Sequence, residues 1–175
     1  MIYIGIDPGV SGAIVALDHD HKVRVCVRMP VLNIGKKGKT KNILDDAGVL
    51  AELRSIKAQA EHHGVATFAV LEKSQAMPGQ GVTSMFNYGG VYHALKMALT
   101  AVELPFDVVH PRRWQKKILY GIEGGDSKVR AVLKVQRSLP LLALVPPRCR
   151  KPHEGIVDAA CMALYAKHLR TGRSG

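Results

Sequence analysis

Met-Ile-Tyr-Ile-Gly-Ile-Asp-Pro-Gly-Val-Ser-Gly-Ala-Ile-Val-Ala-Leu, residues 1–17, decides how the rest of the chain is read. Ile2, Tyr3, Ile4 and Ile6 form an apolar, β-favouring run around Gly5, the pattern of a buried strand. Asp7 follows at once, and Pro8-Gly9 turns the chain, because proline cannot donate to a sheet. A carboxylate at the end of a buried strand is costly unless something pairs with it or coordinates it. Asp-Pro-Gly is also ordinary turn chemistry. The weight given to Asp7 therefore depends on whether other acids reach the same strand end.

Beyond the turn, Ala13 to Leu17 is a second apolar run, and Val23, Val25 and Val27 alternate with Arg24, Cys26 and Arg28. Three strands with short connections predict an antiparallel meander ending at Pro30. Asn33 to Lys41 carries Lys36, Lys37, Lys39 and Lys41 with no apolar period. It reads as a flexible basic loop, either simply solvated or an arm that contacts phosphates.

Asp45 or Asp46 can cap a helix running to about His63, with Gly64 as its stop. Ala66 to Leu71 is a fourth strand ending on Glu72, which repeats the opening pattern of apolar strand, then acid. After a polar loop from Lys73 to Gly81, a long helix is expected from about Thr83 to Glu103. Gly89-Gly90 in its middle costs about 1 kcal/mol each against alanine. Close approach of another backbone, such as a second subunit, would account for the pair; the alternative is a kink. Phe106 to Val109 is a fifth strand, and Pro111 opens a short basic helix with Arg112, Arg113, Lys116 and Lys117 around the sole tryptophan, Trp114. Asp126 or Ser127 can cap a helix to about Ser138, residues 139–145 read as a packed loop, and a last helix is expected over residues 152–169.

A meander followed by β-α units predicts an α/β fold with a mixed five-stranded sheet, three strands antiparallel and then two parallel, flanked by helices. Residues 1–170 are expected to form a single domain, with 171–175 a polar tail. In parallel neighbours Asp7 and Glu72 would face each other. Glu154 and Asp158 stand four apart on the last helix, hence on one face, with His153 at the helix mouth. Two like charges one turn apart repel unless they share a cation, and Ile156, Ala159 and Ala160 give Asp158 a core-like setting. Carboxylates so placed suit Mg²⁺ or Mn²⁺. Two such ions about 4 Å apart can activate a water and stabilise a leaving oxygen in phosphodiester hydrolysis.

The chain has 175 residues, 47% of them hydrophobic, and a formal net charge of +11. It can bury a core without staples, and the charge favours a polyanionic partner, nucleic acid first. No apolar run is long enough to span a membrane, and no basic segment precedes the first strand, so neither a membrane span nor a signal peptide is expected. Three cysteines without metal spacing point to an intracellular, reducing compartment.

Ile4-Gly5-Ile6-Asp7-Pro8-Gly9 with Ser11-Gly12, then Leu71-Glu72-Lys73, then His153-Glu154 ahead of Asp158-Ala159-Ala160 resemble the RuvC-type Holliday junction resolvases of the ribonuclease H-like superfamily. The Pro78-Gly79-Gln80-Gly81 loop and the region from Trp114 to Lys117 are similar to the phage and organellar branch. The resemblance covers residue 2 to about 168. It implies a ribonuclease H-like fold and a homodimeric endonuclease that nicks two strands of a four-way DNA junction symmetrically, using Mg²⁺. Asp7, Glu72 and Asp158 would hold the metals. Glu154 or His153 would fill a fourth position that varies between acid and histidine in the family. Here the spacing from Glu154 to Asp158 is four, where much of the family uses three. Lys128 resembles a lysine near the scissile phosphate, with Lys116 a competing candidate. Gln75, Gln80, Phe86 and Tyr88 fall where the family contacts the junction centre.

Other readings are a related nuclease acting on flaps, forks or RNA–DNA hybrids, and a non-catalytic nucleic-acid binder. Acids near phosphates weaken binding unless a metal bridges them, which disfavours the binder. An actin-like ATPase or sugar kinase also begins with a strand and an Asp-x-Gly turn, but needs a larger two-lobed body.

Overall fold

The computed structural model describes residues 1–36, 39–75, 79 and 81–172. Its strands are β1 (Ile2–Asp7), β2 (Ala13–Leu17), β3 (Val23–Arg28), β4 (Val31–Lys36), β5 (Lys39–Leu44), β6 (Thr67–Glu72) and β7 (Phe106–Val109). Its helices are α1 (Asp46–His62), α2 (Val82–Ala101), α3 (Pro111–Ile118), α4 (Ser127–Ser138) and α5 (Glu154–Thr171).

The main sheet has five strands in the order β3-β2-β1-β6-β7. β1 to β3 run antiparallel, and β6 and β7 are parallel to β1, as the meander and the β-α units predict. β1 is therefore central, and all of Ile4, Ile6, Ala69 and Leu71 are fully buried. One face packs on α1 and α2 through Ile4, Ile6, Leu53, Leu71, Leu95 and Leu99. The other packs on α3, α4 and α5 through Tyr3, Val15, Val70, Trp114, Val135 and Met162. The core is thus split into two layers by a sheet buried on both faces.

The caps follow the sequence. Asp45 accepts from Gly48 N at 3.0 Å to start α1, and Gly64 leaves it with φ +61°. Asp126 accepts from Val129 N at 2.9 Å to start α4. α2 runs unbroken through Gly89-Gly90, so the pair does not end or divide the helix. α5 continues through Thr171, one residue into the stretch expected as a tail; residues 173–175 lie outside the described residues.

The basic stretch from Asn33 to Lys41 is a correction. It is not a flexible loop: Val31–Lys36 and Lys39–Leu44 pair as an antiparallel hairpin, a two-stranded sheet of its own. Val31 lies opposite Leu44 and Leu32 opposite Ile43 at its base, and Asn33 Nδ2 donates to Asn42 Oδ1 at 2.9 Å. Leu32 and Ile34 stay 50% and 45% exposed, which is why no buried period shows in the sequence. No described helix is long and apolar enough to cross a membrane.

Candidate active site

Register brings the first two acids together. Ile6 lies opposite Leu71 in the parallel pair, so Asp7 and Glu72 take the next positions side by side. Side chains alternate along a strand, and Ile6 and Leu71 face the α1–α2 layer. Asp7 and Glu72 therefore turn toward the layer that holds α5.

Two glycine contacts seat α5 there. A Cβ on Gly5 would overlap Ala159 O and Ala163 N of α5, and one on Gly155 would come within 2.8 Å of Gly12 Cα. The helix thus lies on the backbone of β1 at one point and on the turn after it at another. Gly9 completes that turn with φ +139°, a conformation side-chain-bearing residues rarely adopt. Asp158, one turn into α5, faces the two strand ends as a result.

The electrostatics record the convergence. The Asp7 carboxyl is pushed up to about 8, by burial first and then by the charges of Asp158, Glu72 and Glu154. Asp158 is pushed up to about 7, by burial and then by Glu72 and Glu154, with Lys128 opposing. Glu72 is raised by burial, against the hydrogen bond from Trp114. Carboxylates that raise one another in this way resist ionising together, and a divalent cation bound among them would relieve the repulsion. The donors are all hard oxygens, which fits Mg²⁺ or Mn²⁺. Among the described residues no three Asp, Glu, His or Cys side chains are gathered closely enough to hold a metal ion as they stand. Glu72 Oε2 instead accepts from Trp114 Nε1 at 2.9 Å, and the two Glu154 oxygens accept from Lys128 Nζ at 2.9 and 2.8 Å.

The remaining site residues fall around this cluster. His153 is the N-cap of α5, its Nδ1 accepting from Ile156 N at 3.3 Å, while Glu154 projects its charge onto Asp7 and Asp158. Lys128 reaches the acids from the first turn of α4, whereas Lys116 lies on the exposed face of α3. Tyr88 comes down from α2 beside Gly9, with its Cε2 3.5 Å from where a Cβ would stand. Its phenol is raised by burial and by Asp7, Glu72 and Asp158.

The polar periphery is basic. Arg112, Arg113, Lys116 and Lys117 are exposed along α3. Lys36 and Lys39 are backbone partners in register at the end of the hairpin. Lys37 and Gln80 lie outside the described residues. Gln75 is exposed in the loop after β6, and Phe86 is 81% exposed on α2. A groove of about 540 Å³ runs between the hairpin base and the mouth of α5, lined by Ser11, Arg28, Asn42 and His153. A cavity of about 290 Å³ near Asp18, Arg24 and His63 lies at the opposite end of β1, away from the acids.

Sequence reasoning missed two interactions. One is the bond from Trp114 to Glu72, for which the signal was the i, i+4 pair Trp114 and Ile118, the buried side of an otherwise basic helix. The other is Arg28, whose charge acts on His153 from the end of β3; nothing local in the sequence marks it.

No protein-family model matches the chain, and no curated protein matches it significantly by sequence. Solved structures do. The Thermus thermophilus RuvC structure aligns with a TM-score of 0.56 at 17% identity, over 98% of this chain and 97% of that one. T. thermophilus RuvC in complex with a Holliday junction substrate aligns with a TM-score of 0.57 at 16% identity, over 98% and 96%. At such identities the likeness is one of fold, and it extends over nearly the whole chain: this protein has the mixed-sheet, ribonuclease H-like fold of RuvC.

Proposed function

We propose that this chain is a divalent-metal-dependent endonuclease that resolves four-way DNA junctions by paired, symmetric nicks. The observation that carries the reading is the convergence of Asp7, Glu72 and Asp158, from two strands and a helix, where Glu72 raises the proton affinity of both aspartates and Asp158 raises that of Asp7. Such a cluster inside a protein of net charge +11 is self-defeating for phosphate binding unless a cation sits in it.

Asp7, Glu72 and Asp158 would hold the cation, with Glu154 at the margin. The cation supplies Lewis-acid stabilisation of the charge that builds on the phosphate. Lys128 sets an ammonium beside the same cluster, where it can pair with a non-bridging phosphate oxygen. The basic face of α3 and the lysines of the β4–β5 hairpin would grip the sugar–phosphate backbone and set the register. Tyr88 of α2, beside the acids, together with Gln75 in the loop after β6 and the exposed Phe86 near the start of α2, would meet the junction centre.

Symmetric nicking needs two active sites related by a two-fold axis. The N-terminal half of α2 offers a surface for it: Val82 and Phe86 are 79% and 81% exposed, and nothing approaches Gly89 or Gly90 within 4 Å of a Cβ position. A homodimer through that face is part of the proposal. The free thiols Cys26, Cys149 and Cys161 suit a reducing, intracellular compartment.

The deciding experiment is cleavage of a synthetic four-way junction in Mg²⁺ with the nicks mapped, run beside linear duplex, flap, fork and RNA–DNA hybrid. Paired nicks at symmetric positions of the junction are expected, with Ca²⁺ supporting binding but little cutting. Preference for the flap, fork or hybrid would replace this reading with that of a related nuclease. Light scattering that finds a monomer at micromolar concentration would refute the dimer.

A further inference from the structure

Trp114 is 1% exposed, yet its indole N–H points at a carboxylate: Nε1 donates to Glu72 Oε2 at 2.9 Å. The fold makes this contact short-range. Glu72 pairs with Val109 at the ends of the parallel strands β6 and β7, and Lys73 N donates to Val109 O at 2.8 Å just beyond. His110 then caps α3, accepting from Arg112 N at 3.4 Å, with Pro111 in its first turn. Trp114 follows one turn later, so α3 starts from the residue next to Glu72's own partner and returns a donor to it.

The same helix has two sides. Trp114 and Ile118 are buried, while Arg112, Arg113, Lys116 and Lys117 are exposed. A tryptophan whose only task was filling the core would need some partner for its N–H. Here the partner is a residue of the acid cluster. An indole N–H fixes one carboxylate oxygen and leaves the other free, which sets the direction in which that oxygen points.

We propose that Trp114 is a positioning residue: its indole N–H orients the Glu72 carboxylate for a divalent cation. The proposal rests on the reading of the acids as a cation site.

The chain's single tryptophan is its own probe, because indole emission responds to what its N–H bonds. Mg²⁺ is titrated into the full chain without DNA. A saturable change in emission is expected, lost in Glu72→Gln, which keeps an oxygen for the indole but is a weaker cation ligand. In junction cleavage, Trp114→Phe should need about 10-fold or more Mg²⁺ for half-maximal rate, while binding the junction in Ca²⁺ as the unaltered chain does. A merely packing role would lower the folded fraction and leave the Mg²⁺ midpoint in place. Emission that ignores Mg²⁺, an undiminished response in Glu72→Gln, or an unchanged midpoint in Trp114→Phe each overturns the proposal. If Trp114→Phe does not fold, the emission arm decides. Emission that responds through Glu72 while junctions stay uncut refutes junction resolution and leaves the role of Trp114 standing.

Discussion

Gly5 of β1 lies directly under the carbonyl of Ala159 in α5, with no room between them for a side chain. Asp7 stands two residues along the strand from the one, and Asp158 stands immediately before the other. The distance from the first acid to the third is thus set by a backbone-to-backbone contact in the core.

Gly5→Ala should therefore damage both stability and chemistry. Its Cβ also comes within 2.9 Å of Met162 C, and backbone atoms on a packed helix cannot yield as a flexible side chain would. Overpacking of this kind costs about 1–3 kcal/mol or more. We expect a clearly lowered Tm, and Mg²⁺-dependent cleavage reduced beyond the loss of folded protein. A melting curve matching the unaltered chain would show that α5 can lift without penalty.

The acid cluster predicts an inverted pH dependence in the absence of metal. Asp7 and Asp158 are pushed up to about 8 and about 7 in the folded chain, against about 3.9 for an unperturbed aspartate. Between these limits the folded state binds more protons than the unfolded one, so stability falls as pH rises. In EDTA the Tm should decline from pH 5 to pH 8.5, and Mg²⁺ should restore it at the alkaline end. Asp7→Asn should flatten the profile. A Tm that rises across this range in EDTA would contradict the arrangement.

Lys128 and Glu154 form an ion pair with both side chains about 70% exposed (69% and 71%), so water screens it. Lys128→Ala should leave the Tm unchanged. If the ammonium serves the phosphate, it should cut the cleavage rate about 10²-fold with junction affinity little altered. An unaffected rate would transfer the role to Lys116.

The β4–β5 hairpin forms its own two-stranded sheet, so its lysines can be changed without disturbing the core. Replacing Lys36, Lys37, Lys39 and Lys41 by Gln should weaken junction binding and flatten its salt dependence, by about one unit of slope for each phosphate no longer neutralised. Salt dependence equal to that of the unaltered chain would leave the hairpin solvated and idle.

The centre of the main sheet was legible because β1, β2 and β6 are buried on both faces and read as near-continuous apolar runs, Ile2 to Ile6 and Phe68 to Leu71 above all, while the edge strand β3 showed itself by alternation. Asp7 and Glu72 were legible for the same reason: an acid closing such a run stands out. The hairpin was hidden because its ladder is held by backbone pairing and Leu32 and Ile34 stay exposed, leaving lysines as the dominant signal in the sequence. The bond between Trp114 and Glu72 spans 42 positions and depends on β6 and β7 being neighbours, which strand-by-strand reading does not supply. Nothing in the apolar run around Gly5 explains a glycine there; the seating of α5 on its backbone does.

The most direct measurement is calorimetric titration of Mn²⁺ into the unaltered chain and into Asp7→Asn at pH 8, without DNA. Carboxylates gathered to hold a cation predict saturable binding to the unaltered chain and none in the measurable range for Asp7→Asn. Equal binding by the two proteins, or no binding by either, would contradict a cation site built on Asp7.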